Sequence, residues 1–142
     1  MSEFTFQMLL QCRYTGDANN IDHLHVEHLV GDDWQELDLN IHSPGFDIFM
    51  YAILTCQHMY YRNNAAEYGL VLESSEGLLT VIAGAHRNIE ALNIEFKGKL
   101  KKGTATNDIV DSITARMALC PVSINLKDIK DFHIAASFEA GE

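Results

Sequence analysis

Two cysteines are the residues of this chain whose type and surroundings point most clearly to chemistry. Cys56 lies in the segment ILTCQHMYY, and Cys120 lies in the segment ARMALCPVSINL. Each falls on the apolar side of a segment whose apolar residues recur at helical spacing. A thiolate is both a nucleophile and a redox-active group, whereas a cysteine on an apolar helix face is usually a small buried hydrophobe. The functional question is therefore whether the two thiols meet.

The first cysteine belongs to the longest predicted helix, over residues 43–69. Ser43 is placed to cap it with Pro44 at the first helical position, and Gly69 suits the left-handed residue that ends a helix. We expect one apolar stripe formed by Ile48, Phe49, Ala52, Ile53, Cys56, Met59 and Tyr60. Because further apolar residues surround the rest of this helix, we expect a partner subunit to cover it, and we predict a homodimer.

The second cysteine ends a second predicted helix, over residues 107–118. Thr106 can cap this helix, and Asp108 suits its first turn because a carboxylate is favourable near a helix N-terminus. Pro121 stops it and pushes the preceding residue out of helical geometry. The predicted buried side is lined by Ile109, Ile113, Met117 and Cys120.

Alternating apolar and polar residues predict strands in the remaining segments. Three strands are expected before the first helix, the third of them formed by Leu37, Leu39 and Ile41. After the helix, residues 70–73 and 78–83 are interpreted as a hairpin around the turn at 74–77, followed by strands at 92–100 and 132–138. Strands in runs favour an α+β fold with antiparallel sheets and two main helices, in one domain over residues 1–142.

Composition limits the class of protein. The chain has 142 residues, 47% of them hydrophobic, and a formal net charge of −10, which argues against nucleic acid as a partner. No apolar run is long enough to cross a membrane, and the N-terminus has no signal-peptide pattern. Three cysteines are too few for a secreted disulfide scaffold. We therefore expect a cytoplasmic protein with reduced thiols.

Other clusters have simpler interpretations. His23, His25 and Glu27 share one strand face while His28 points the other way, so a polar strand face is preferred and no metal is expected. Cys12 is assigned to the core. A basic run is interpreted as a solvated strand end, with anion or partner binding as the alternative; it comprises Lys97, Lys99, Lys101 and Lys102. No nucleotide-binding fingerprint is present, and no cofactor is expected.

The motifs around the two cysteines resemble the OsmC/Ohr family of thiol-dependent peroxidases. The family pattern has a Ser/Asn-Pro pair that opens a long helix carrying the first cysteine, and a second helix that ends in Cys-Pro-Val-Ser. Here these are Ser43-Pro44, Cys56 and the run 120–123, and their spacing agrees with the pattern. The resemblance covers nearly the whole chain. It implies an OsmC-like fold and an intertwined homodimer with sites at the subunit interface.

The resemblance also implies a reaction. Cys56 would react with an organic hydroperoxide to give a sulfenic acid, Cys120 would resolve this as a disulfide, and an external dithiol would reduce the disulfide. Apolar walls would select a small apolar hydroperoxide. The candidate wall residues are Met50, Tyr51, Met59 and Tyr60.

Two departures from the family pattern leave an alternative open. The peroxidases place a glutamate after the Ser/Asn-Pro pair and an arginine in the N-terminal strands. This chain has Gly45-Phe46-Asp47 after Pro44, and Arg13 is the one arginine before the helix. A cation such as Arg13 or Arg62 beside Cys56 would favour the peroxidase. Apolar surroundings alone would favour a catalytically silent dimer that binds an apolar ligand or partner at the subunit interface.

Overall fold

The computed structural model describes residues 4–86, 88–126, 129 and 131–141. A short 3₁₀ helix, Ser123–Leu126, precedes the last strand. The other elements, in chain order, are β1 (Phe4–Thr15), β2 (Asn20–Val30), β3 (Asp33–Glu36), α1 (Gly45–Glu67), β4 (Val71–Ala83), β5 (Ile89–Lys102), α2 (Asn107–Met117) and β6 (Asp131–Glu139). Within these ranges, no helix is long and apolar enough to cross a membrane.

In the described part of the chain the strands form one six-stranded sheet in the order β3-β2-β1-β4-β5-β6. Neighbouring strands are antiparallel except β5 and β6, which run parallel. The α+β class is thus confirmed, but the sheet is mixed rather than antiparallel. The reason is that α2 connects β5 to β6, and a helical crossover returns the chain in the same direction.

The predicted hairpin at residues 70–83 is wrong, because β4 is one continuous strand of 13 residues. Its expected turn residues pair on both sides: Ser74 with Arg13 and Lys99, and Gly77 with Leu10 and Phe96. Glycine is needed at position 77 because a Cβ there would collide with the Phe96 ring. This glycine therefore serves ring packing rather than a turn.

The third predicted strand is also misplaced. The strand lies at Asp33–Glu36, before the expected residues. The Leu37 N–H donates to the Val26 carbonyl at 2.9 Å, and the chain then leaves the sheet. Ile41 is 92% exposed, so the alternation in this segment does not correspond to a buried strand face.

The alternation of β1 is confirmed. One face of this strand is buried, and it places Cys12 in the core at 3% exposure. The buried face consists of Phe6, Met8, Leu10, Cys12 and Tyr14. Burying a row of large apolar side chains against a helix is the main source of stability in such a layer.

The helix α1 buries a different face from the one expected. Of the predicted stripe, Ile53 is fully buried, whereas Ile48, Phe49 and Met59 are 43%, 40% and 45% exposed. The face in the core consists of Met50, Ile53, Leu54, Gln57, His58, Tyr61, Asn64 and Ala65. The prediction failed because two faces of this helix are apolar. The face that is buried also contains polar residues, and these have hydrogen-bond partners in the core.

The ends of the helices agree in part with the sequence. Gly69 has φ +78°, the left-handed conformation predicted for it. Pro44 lies at the N-cap position without a side-chain cap, and the Ser43 hydroxyl instead accepts from the Asn40 N–H at 2.8 Å. Ser43 is therefore not the cap. In α2, the predicted cap is confirmed, because the Thr106 hydroxyl accepts from the Ile109 N–H at 3.3 Å.

Candidate functional site

Cys56 and Cys120 meet. A disulfide joins them, with Cα atoms 6.3 Å apart and a sequence separation of 64. It links the middle of α1 to the chain just beyond α2. Their expected roles as reactive and resolving cysteine remain predictions.

The two sulfur-bearing residues differ in exposure. Cys120 has no exposed surface, whereas Cys56 is partly exposed. Beyond α2 the chain turns tightly, since the Cys120 N–H donates to the Met117 carbonyl and its own carbonyl accepts from the Ile124 N–H. The turn directs Cys120 inward, and Pro121 prevents the helix from continuing.

A buried polar contact supports the disulfide. The side-chain amide of Gln57 donates to the Met117 carbonyl at 2.9 Å and to the Ser123 hydroxyl. Gln57 and Ser123 have no exposed surface, and the Gln57 Oε1 has no hydrogen-bond partner. Gln57, the residue after Cys56, thus contacts the chain on both sides of Cys120.

The solvent side of α1 around Cys56 is apolar. Ala52, Met59 and Tyr60 lie within one helical turn of Cys56 on the same side. Among the expected wall residues, Met59 and Tyr60 belong to this surface. Met50 does not, since it has no exposed surface and packs in the core. Tyr51 lines a separate cavity of about 420 Å³ with Leu37 and Leu39.

The structure places Arg13, Arg62 and Arg116 away from Cys56. Arg13 lies on the exposed face of β1, opposite Tyr14, which contacts α1. The Arg62 guanidinium donates to the Asn19 carbonyl at 3.3 Å. Arg116 pairs with Glu67 at 2.9 Å. Within one chain, the cation expected beside the reactive cysteine is therefore supplied by none of these three.

A buried network that was not predicted from the sequence lies beneath α1. The Tyr14 hydroxyl lies 2.7 Å from the His58 Nε2 and 2.6 Å from the Ser75 Oγ. Burial lowers the pKa of His58 to about 4 and raises the pKa of Tyr14 above its usual range. His58 is thus neutral at pH 7. Although His58 is two residues from Cys56, its side chain faces the sheet and contacts Tyr14.

One signal in the sequence could have located this network. Tyr14 is on the buried face of an alternating strand, and a buried tyrosine hydroxyl requires a hydrogen-bond partner. The polar residues Gln57 and His58 interrupt a helix that is otherwise apolar at its centre. Adjacent polar residues in such a helix indicate that one face contacts polar groups in the core.

The structure is similar to an OsmC-like hydroperoxide resistance protein from Jannaschia sp. CCS1, with a TM-score of 0.59 and 12% identity over 87% of each chain. It is also similar to an OsmC-like protein from Mycoplasma pneumoniae, with a TM-score of 0.53 and 9% identity over 83% of this chain and 89% of that one. This chain has the OsmC-like fold. No protein-family model and no curated protein matches the sequence.

A third structure matches nearly the whole of this chain. A hypothetical protein from Aquifex aeolicus VF5 matches with a TM-score of 0.57 and 10% identity, over 94% of this chain and 96% of that one. At such identities the similarity establishes the fold and leaves the activity to be argued from the residues. It confirms the fold that the cysteine motifs predicted.

The histidine cluster lies at the edge of the OsmC-like sheet. His25 Nε2 is 3.1 Å from Glu27 Oε2, and His25 Nδ1 is 3.8 Å from Glu36 Oε2, so this side chain links β2 to β3. Among the described residues, no group of three or more histidine, cysteine or acidic side chains is placed to hold a metal ion. The contacts of His25 with Glu27 and Glu36 form a polar strand face.

A polar groove of about 610 Å³ lies on the sheet face opposite α1. Arg13, Ser74, Lys97 and Lys99 line it, together with the acidic residues Glu76 and Glu139. The groove is separated from Cys56 by the sheet. It is therefore a second candidate site, independent of the disulfide.

Proposed function

We propose that this protein is a thiol-dependent peroxidase that reduces organic hydroperoxides through Cys56 and Cys120. The observation that carries the proposal is the pairing of a partly exposed Cys56 with a fully buried Cys120 in one disulfide. A hydroperoxide approaching from solvent can reach the first sulfur, and the second sulfur is held where it can only react with the first. This asymmetry suits a reactive and a resolving cysteine.

The proposed cycle balances with an organic hydroperoxide and an external dithiol. The Cys56 thiolate attacks the terminal peroxide oxygen, the O–O bond breaks, and the alkoxide leaves as an alcohol after taking a proton. The Cys120 thiol then attacks the sulfur of the resulting sulfenic acid, forming the disulfide and releasing water. A dithiol reductant finally restores both thiols by disulfide exchange and becomes a disulfide itself.

The exposed side of α1 supports two further parts of the proposal. Apolar residues next to Cys56, including Met59 at 45% exposure, favour an alkyl hydroperoxide over hydrogen peroxide. The same surface, with Ile48 and Phe49, is large for an unpaired helix face and suits a second copy of this chain.

The test is the oxidation of reduced protein by a brief exposure to cumene hydroperoxide, followed by intact and peptide mass measurement. We expect a rapid loss of about two mass units, mapped to the Cys56–Cys120 pair. Hydrogen peroxide should act more slowly. Cys56→Ser should abolish the rapid phase, and Cys12→Ala serves as the matched control that retains it. Slow and unselective oxidation, or a disulfide that involves Cys12, would contradict the proposal.

A second function is favoured by the position of Arg13 on the far face of the sheet. Without a cation the Cys56 thiol is poorly activated, and the same apolar surface would then serve a catalytically silent dimer that binds an apolar ligand. The two functions differ in turnover. Consumption of hydroperoxide with a dithiol present supports the peroxidase, whereas saturable binding of a fatty acid without turnover supports the binding protein.

A further inference from the structure

The strand β5 concentrates positive charge in an acidic protein. The chain has a formal net charge of −10 and 10 lysines and arginines in all. Four of these lie between positions 97 and 102 of β5. Lys97, Lys99 and Lys101 are exposed and alternate with buried residues, so they share the sheet face that α1 does not cover.

The strand register brings two of these cations to the sides of one hydroxyl. Ser74 of β4 pairs with Arg13 of β1 on one side and with Lys99 of β5 on the other. Since neighbouring strands lie about 4.8 Å apart, the backbones of Arg13 and Lys99 are about 10 Å apart with Ser74 midway. Two long basic side chains can therefore converge above the serine hydroxyl.

The sheet is irregular at this position. In the β4–β5 pair the register shifts between Leu72 and Ser74, which leaves Glu73 as an extra residue. The β1–β2 pair shifts between Arg13 and Tyr14. A bulge bends its strand and increases the local twist, and bulges are frequent beside functional sites. Two irregularities that border Arg13 and Ser74 curve the sheet around the groove.

The side chains of Arg13, Lys97 and Lys99 have no ion-pair partner within 4.0 Å among the described residues, although acidic side chains line the same groove. The strand register places Glu76 beside Lys97 and Glu139 beside Lys99. Glu76 accepts a hydrogen bond from the Gln11 amide at 3.3 Å. Because no contact within 4.0 Å fixes the Arg13 and Lys99 side chains, both can turn toward an external anion.

We propose that this groove binds a small phosphate-bearing molecule, with the phosphate held by Arg13, Ser74 and Lys99. Three donors on three adjacent strands match a tetrahedral group with several acceptor oxygens better than a planar carboxylate with two, and the arginine fork suits phosphate geometry. The volume of about 610 Å³ is in the range of small-molecule sites. The formal net charge of −10 disfavours a polyanion such as nucleic acid.

The test is a titration of the isotope-labelled protein with inorganic phosphate at constant ionic strength, followed by two-dimensional amide NMR. We expect saturating shifts confined to Arg13, Ser74, Lys99 and their strand neighbours. Arg13→Gln and Lys99→Gln should each raise the dissociation constant about tenfold, because each removes a charged hydrogen bond. These side chains are exposed, so the variants should keep the wild-type amide spectrum elsewhere.

Lys101→Gln is the matched control, because Lys101 lies on the same strand and the same face but outside the groove. It should change the phosphate affinity less than twofold. An equal effect of Lys101→Gln would show diffuse charge attraction and overturn the site. Absence of saturation would overturn it as well, and equal affinity for acetate would overturn the choice of phosphate. None of these outcomes depends on peroxidase activity.

Discussion

Gln57 donates a hydrogen bond to the hydroxyl of Ser123, from a position 66 residues earlier in the chain, and neither residue has exposed surface. Gln57 directly follows Cys56, and Ser123 is the last residue of the Cys-Pro-Val-Ser motif. The same amide donates to the Met117 carbonyl at the end of α2. The segments that carry the two cysteines are therefore held together by a contact that does not require the disulfide.

We predict that Gln57→Leu destabilises the protein whether or not the disulfide is present. The substitution keeps the volume of the side chain but leaves the buried Ser123 hydroxyl without its donor and the Met117 carbonyl with the Cys120 N–H alone. The free energy of unfolding should fall by about 1–3 kcal/mol in urea, with and without reductant.

Asn125→Ala is the control for this measurement. The Asn125 side chain donates to the Pro121 carbonyl at 2.8 Å in the same loop, but this contact is exposed. Its loss should cost less than about 0.5 kcal/mol. If Gln57→Leu costs no more than this control, the buried contact does not hold the two segments together.

A second prediction concerns the disulfide itself. Reduction opens a cross-link between positions separated by 64 residues, and the chain-entropy model gives a loss of about 4 kcal/mol for a loop of this length. The unfolding midpoint in urea should therefore fall clearly when reductant is added. Cys56→Ala should already show the low midpoint, and reductant should not lower it further. A reductant effect that persists in Cys56→Ala would contradict this origin.

A third prediction follows from His58. Burial, together with the charge of Arg62, lowers its pKa from 6.5 to about 4. The unfolded chain therefore binds a proton that the folded protein excludes, and stability should decrease as the pH falls from about 6.5 to about 4. The slope approaches about 1.4 kcal/mol per pH unit, for a total of roughly 3 kcal/mol.

The decisive comparison is the pH dependence of urea unfolding in two histidine variants. His58→Gln should flatten the profile between pH 4 and 6.5, although the variant is less stable at pH 7 because the Tyr14 hydroxyl loses one of its two partners. His133→Gln, at an exposed position, should retain the wild-type slope. If the unfolding free energy of His58→Gln still falls with pH as in the wild type, the pH dependence comes from other groups.

Local patterns determine how much of this fold can be predicted from the sequence. The alternation of β1 and the cap and apolar side of α2 depend on neighbours along the chain, and both were predicted. The local sequence could not exclude a hairpin turn at residues 74–77, because serines and glycines favour turns. Only the pairing of these residues with β1 and β5 shows that they lie in the middle of a sheet.

In the candidate site, too, features set by the local sequence were predicted and contacts between distant residues were not. Cys56 and Cys120 were found through a motif, and their contact is confirmed. The Gln57–Ser123 and Tyr14–His58 contacts connect residues distant in sequence, and no local pattern specifies such partners. The face of α1 that enters the core was also mistaken, because helical periodicity cannot distinguish two apolar faces when the second is available to another subunit.

A fourth prediction tests that second face of α1. Met59 is 45% exposed and lies one turn beyond Cys56, so in the proposed homodimer Met59→Glu introduces a charge into the interface from both subunits. We expect the dimer dissociation constant to rise about a hundredfold or more, since an unpaired buried charge costs several kcal/mol. Sedimentation equilibrium over a range of concentrations measures this change. Ile21→Glu, at a residue of β2 that is 41% exposed, is the matched control and should leave the dimer intact. A wild-type protein that stays monomeric at micromolar concentration, or an equal effect of both variants, would rule out this face of α1 as the interface.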